Sequence, residues 1–195
     1  MLDPGRHQGA RRGGPVSEIC AGPAGPLVTD DGAAWHFRRV LGAFATGVVV
    51  VTAAGHRTGF PLGLTANSFT SISLSPPLVS VCMARTSTTW PRIRAAEGHC
   101  INILAEHQRG LCRQFAASGG DKFSQVRWTA SPAGHPILDQ ALGWLDCKVE
   151  AEYAAGDHVI VVCRVMDLAT LSDGPPLIFY RGEYGREYVD EAGGQ

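Results

Sequence analysis

No apolar run in this 195-residue chain approaches the roughly 18 residues of a membrane-spanning helix. The longest, Val48 to Ala54, suits a buried strand. An excess of charge of one sign is missing too. The net charge is -1 with charged residues at 18%, and no basic cluster or acidic run stands out. A nucleic-acid partner and a membrane partner are therefore not expected. The N-terminus carries charges but no apolar core after them, so a secretory signal is not expected and a cytoplasmic address is the default.

Chemistry-bearing motifs are equally scarce. GxGxxG and GxxxxGK[ST] are absent, which removes support for a dinucleotide fold and a P-loop. HExxH and the GxSxG elbow are absent as well. Six cysteines are present, but none form a CxxC, and Cys82, Cys100, Cys147 and Cys163 sit in apolar, strand-like runs. They read as reduced, buried small hydrophobes. The histidines are scattered without ligand spacing, so no metal is expected. These absences direct attention to an organic cofactor, for which a protein supplies position and electrostatics.

The length fits one domain. Residues Met1 to Thr29 are rich in Gly, Pro, Ala and Arg and lack periodicity, so they read as a disordered tail before a domain over 30–190. Asp30 or Asp31 caps a first helix whose Phe37, Val40, Leu41 and Phe44 follow helical spacing and predict a face packed on a core. Thr46–Gly47 reads most simply as the end of that helix. A valine-rich strand follows, then a turn over Gly55–Gly59 and a strand over Leu62–Phe69. Pro76–Pro77 precede a strand over Leu78–Ala84, and a short helix begins near Thr88 or Thr89. His99–Ala105 is a further strand, with Asn102 in need of a buried partner. A helix near His107–Ala117 comes next. Leu142–Tyr153 alternates cleanly, which puts Leu145, Cys147, Val149, Ala151 and Tyr153 on one face and Asp146 and Glu152 on the other. His158–Leu171 and Leu177–Tyr180 complete the strands. The pattern predicts a mainly β chain, an antiparallel barrel with a few short helices rather than a βαβ repeat.

One stretch organises the rest: Gly59 to Arg94, GFPLGLTANSFTSISLSPPLVSVCMARTSTTWPRIR. Thr65, Ala66, Asn67 and Ser68 offer neutral donors and acceptors with little bulk. Ser87, Thr88 and Thr89 open a helix, whose unpaired N–H groups suit an anion. A planar ligand with polar edges and a phosphate tail fits the pair. Gly156–Asp157–His158 reads either as a tight turn or as a histidine at a cleft mouth.

These pieces resemble the short-chain flavin reductases, the reductase components of two-component flavin-dependent monooxygenases. The resemblance rests on RRVLGAFATGVVVVTA, GLTANSFTSISLSPPLVSVCMARTSTTW, INILAEHQRGLCRQFA, DKF, LDCKVEAEYAAGDHVIVVCRV and PPLIFYRGEY, from Phe37 to Tyr184. It implies a flavin-binding split β-barrel and a homodimer. FMN or FAD would be reduced by NADH or NADPH through direct hydride transfer, and reduced flavin would leave for a separate monooxygenase. By the same resemblance, Thr65, Ala66, Asn67 and Ser68 line the flavin ring edge. Ala84, Arg85, Ser87 and Thr88 hold the ribityl and phosphate region. Thr46, Gly47, Phe123 and Tyr184 pack near the flavin, and His158 contacts the nicotinamide. No side chain is expected as acid or base. The competing readings are an oxidase with tightly held flavin, a non-catalytic flavin-binding module, and a structural barrel without ligand.

Overall fold

The computed structural model describes residues 31–55 and 59–185. The tail expected over Met1–Thr29, part of the turn at His56–Thr58 and the end of the expected domain lie outside the described residues. The chain divides into units 1–38 and 39–195. The described part of the first is only the start of a helix; the sheets and the cleft belong to the second.

Helix α1 (Asp31–Leu41) leads to a short strand β1 (Thr46–Gly47) and to β2 (Val49–Ala53), β3 (Leu62–Ala66), β4 (Thr70–Leu74) and β5 (Pro77–Ala84). After α2 (Trp90–Arg94) come β6 (His99–Ile103), a single 3-10 turn (Glu106–Gln108) and α3 (Arg109–Ala116). A small hairpin β7 (Trp128–Ala130) and β8 (Pro136–Leu138) precedes the long pair β9 (Gly143–Ala155) and β10 (His158–Thr170). Strands β11 (Ile178–Tyr180) and β12 (Glu183–Tyr184) end the described chain. The molecule is mainly β with few helices, as the pattern predicts. The expected strand over Leu62–Phe69 is broken at Asn67–Phe69, and neither β4 nor the β7–β8 hairpin is foreseen from the sequence.

Seven strands form one antiparallel sheet in the order β3-β2-β6-β9-β10-β5-β4. Its two border strands, β3 and β4, are consecutive in the chain and joined by only Asn67, Ser68 and Phe69. Three residues span roughly 10 Å at most. β1, β11 and β12 form a separate small sheet.

The valine run of β2 serves two cores. Val49 and Val51 face one cluster with Val81, Met83, Val161 and Ile93. Val48 and Val50 face another with Leu104, Phe115, Leu138 and Leu177. A strand covered on both faces needs no polar alternation, hence the continuous β-branched run. Asn102, buried between the layers, is fully used. Its Nδ2 donates to the Thr52 hydroxyl (3.1 Å) and to the Val50 and Pro136 carbonyls. Its Oδ1 accepts the Leu138 N–H at 2.8 Å.

Two expectations fail. Val40, Leu41 and Phe44 are exposed rather than packed on a core, Phe44 at 76%. Helical spacing reports a common face, not what covers it. The clean alternation of β9 also breaks. Ala151 pairs with Val162 but Val149 with Cys163, so Glu150 is an extra residue. Such a bulge shifts the side-chain phase. Val149 and Tyr153 are exposed, while Glu152 is half-buried and bonded to Arg94 at 2.7 Å. Asp146, expected in solvent, is buried, and its Oδ2 accepts the Ala133 N–H at 3.2 Å.

Candidate functional site

A cleft of about 440 Å³ lies where the end of β3, the far end of β5 and the C-terminal end of α3 meet. Thr65, Ala66, Asn67 and Ser68 form one wall, and Ala84, Ser87 and Thr88 form another. His158 stands at the rim, and Leu64 and Met83 are apolar lining. The structure thus brings these residues together from segments far apart in sequence.

The small polar residues have unequal duties. The Ser68 hydroxyl accepts the Cys82 N–H at 2.8 Å and donates to the Cys82 carbonyl at 3.1 Å. It splices the break after β3 onto β5. The Thr65 hydroxyl donates to the Cys112 carbonyl at 2.8 Å and pins β3 to α3. Asn67 is exposed, and its amide makes no hydrogen bond among the described residues. Ser87 is half-buried, and its hydroxyl accepts the Trp90 N–H at 3.1 Å, which closes the start of α2. That helix has five residues with Thr89 before it, so its first turn offers little dipole. Thr88 and Thr89 line the cleft, and their own N–H groups make no hydrogen bond among the described residues.

His158 opens β10, paired with Ala84 across one ladder and Ala155 across the other. Its Nδ1 lies 2.7 Å from Asp157 Oδ1, and this hydrogen bond and the imidazole charge hold the Asp157 carboxyl below the usual range. The Arg85 N–H donates to the Asp157 carbonyl at 2.9 Å and joins the end of β5 to the same turn.

Several expected residues lie elsewhere. Arg85 is exposed and is not part of the cleft lining. Thr46 and Gly47 pair with Phe179 and Ile178 in the small sheet, and the buried Thr46 hydroxyl has no partner among the described residues. Tyr184 packs on Phe179 (ring centroids 4.9 Å apart) and against Cys112; burial and the neighbouring thiol push its pKa up to about 12. Phe123 stands behind the cleft and meets Phe115 edge-on at 5.0 Å.

Lys122 lines the cleft, although in the DKF triplet the sequence singles out only Phe123. Its Nζ donates to the Phe115 carbonyl at 3.0 Å, and partial burial lowers its pKa. Gln114 holds its loop by donating to the Lys122 and Ser124 carbonyls, both at 3.0 Å. Asp121 Oδ1 accepts the Phe123 N–H at 3.0 Å. The signal was the DKF triplet itself, in which Asp121 makes the turn, Lys122 faces the cleft and Phe123 anchors the core. Among the described residues no group of His, Cys, Asp and Glu is arranged to hold a metal ion.

The family described as flavin reductase like domain matches residues 41–187. The chain belongs to the flavin reductase family. The flavin reductase of Pseudomonas putida is 44% identical over 149 residues, covering 76% of this chain and 87% of that protein. The reductase subunit HsaB of a flavin-dependent monooxygenase from Rhodococcus jostii (strain RHA1) is 42% identical over 149 residues, covering 76% and 75%. Among solved structures, the NADH:FAD oxidoreductase SgcE6 of Streptomyces globisporus C-1027, in complex with NAD and FAD fragments, superposes with a TM-score of 0.75. It is 34% identical, covering 83% of this chain and 97% of that one. Nitrilotriacetate monooxygenase component B of Mycobacterium thermoresistibile gives a TM-score of 0.74 at 36% identity, covering 84% and 96%. An oxidoreductase activity centred on flavin follows from this membership. The cleft's chemistry suits it: neutral donors and acceptors for a ring edge, backbone N–H groups and the Lys122 cation for a phosphate, and an imidazole at the rim.

Proposed function

We propose that this flavin reductase transfers hydride from NADH or NADPH to FMN or FAD in the cleft, and that the reduced flavin serves a separate monooxygenase. The observation that carries the reading is the convergence of the Thr65–Ser68 wall, the Ser87–Thr88 wall and His158 on one cleft. Asn67 and the backbone of its turn bind the ring edge. The Thr88 and Thr89 N–H groups and Lys122 hold the phosphate region, in place of the Arg85 side chain. His158 meets the nicotinamide. Stacking the two rings at near-contact distance with water excluded supplies the rate, so no side chain serves as acid or base.

The same reading includes a split barrel and a homodimer. The short link between the border strands β3 and β4 supports the barrel. Ile72, Leu74, Val149, Met166 and Leu168 support the dimer: they are exposed apolar side chains on β4, β9 and β10, with Leu74 at 91%.

The test is NADH or NADPH oxidation at catalytic protein concentration, with and without added FMN or FAD. Turnover that requires free flavin and saturates with it supports the reading. No turnover with either nucleotide refutes it.

A further inference from the structure

Asp157 stands directly before His158 in the turn between β9 and β10. Gly156, at φ +61, supplies the left-handed residue this turn needs. The Arg85 N–H holds the Asp157 carbonyl at 2.9 Å, and the His158 backbone is paired on both sides, so the carboxylate and the ring are presented to each other by fixed backbone. The outcome is the 2.7 Å contact between Asp157 Oδ1 and His158 Nδ1. An ionised carboxylate accepts hydrogen bonds and donates none, so Nδ1 must carry the hydrogen. In the neutral ring Nε2 is then a bare acceptor.

We infer that Asp157 is a positioning residue: it locks His158 in the Nδ1–H tautomer so that Nε2 accepts an N–H from the carboxamide of the nicotinamide donor. The inference rests on the proposed reductase reading and adds the sense of the hydrogen bond at the nicotinamide.

The experiment compares wild type, Asp157→Asn and Asp157→Ala in steady-state NADH oxidation with saturating FMN at neutral pH. The expected result for Asp157→Asn is a KM for NADH raised about three-fold at neutral pH, the size an exposed charged pair supports. The kcat and the flavin Kd stay unchanged. Because Asp157 acts through the ring, Asp157→Asn adds nothing in a His158→Ala background. An unchanged KM in both variants, or an undiminished effect without His158, overturns the inference. A second measurement needs no variant at Asp157 and no turnover: nitrogen-15 NMR of the labelled wild type, with the His158 ring identified by its loss in His158→Ala. In the neutral ring the Nδ1–H tautomer is expected; an Nε2–H tautomer overturns the inference. Wild type that oxidises neither nucleotide with flavin refutes the reductase reading. Wild type that turns over while its Asp157 variants match it refutes the inference alone.

Discussion

His158 and Asn67 face different parts of the proposed substrates, and their substitutions separate them. His158→Ala is expected to raise the KM for NADH or NADPH about five-fold, the loss of one hydrogen bond, with the flavin Kd nearly unchanged. The reverse pattern, a weakened flavin and an unchanged nicotinamide KM, refutes the assignment. Asn67→Ala is expected to weaken FMN binding by a similar factor without lowering the Tm, because its amide has no partner among the described residues; calorimetry and a melting curve decide this together. Ser68→Ala should do the opposite. It leaves the Cys82 N–H and carbonyl without their partner and costs about 1–3 kcal/mol of stability. The TxNS segment was legible in the sequence as polar and small. That Ser68 and Thr65 spend their hydroxyls on β5 and α3 was not, because those acceptors lie 14 and 47 residues away.

Among the elements, α3 lies against β3 at a glycine as well as through the Thr65 hydrogen bond. A Cβ at Gly63 would overlap the Phe115 ring, and Phe115 is fully buried between β3 and the Phe123 edge. Gly63→Ala is therefore expected to destabilise the fold by about 1–3 kcal/mol. It should also loosen the wall that carries Lys122, which denaturant unfolding and the FMN Kd would register together; unchanged stability would show that α3 yields freely. The strands legible in the sequence were those buried on both faces or edged by turns, such as β2, β5 and β10. The misread stretches each answer to a tertiary cause. The extra residue Glu150 flips the phase of β9, and the exposed Thr70–Leu74 becomes a strand only because β5 pairs with it. The face of α1 was periodic in sequence, yet periodicity is silent about a partner.

For the whole molecule, acid is the condition to vary. His99 is buried against Cys163 (Nε2 to Sγ 3.4 Å) and edge-on to Trp90, and burial, with the nearby His135 charge, lowers its pKa from 6.5 to about 4. The unfolded chain binds this proton below about 6.5 and the folded chain only below about 4. Stability from His99 is thus complete above that window and declines as pH falls through it, by roughly 3 kcal/mol in all. Urea unfolding at pH values across the window should show the decline in wild type and a flatter dependence in His99→Asn; equal slopes refute the attribution. The exposed apolar residues of β4, β9 and β10 predict association. Sedimentation should give a dimer, and Leu74→Glu should shift it toward monomer; a wild-type monomer at micromolar concentration refutes the dimer.

The sequence by itself determined the class of structure and the chemistry of the cleft, because both are local. Hydrophobic period and β-branching specify strands, and a run of small hydroxyl and amide residues is polar wherever it folds. It also carried enough of the family's order, from TxNSF to GDH, to name the reaction. Tertiary structure alone decided which residues share the cleft. Lys122 enters it because α3 packs on β3 and Gln114 fixes the following loop. The Arg85 side chain leaves it because its backbone is drawn to the Asp157 carbonyl, and Thr46 leaves it because β11 claims its strand. Those outcomes depend on pairings between segments distant in sequence, and register and side-chain direction exist only once the strands have met.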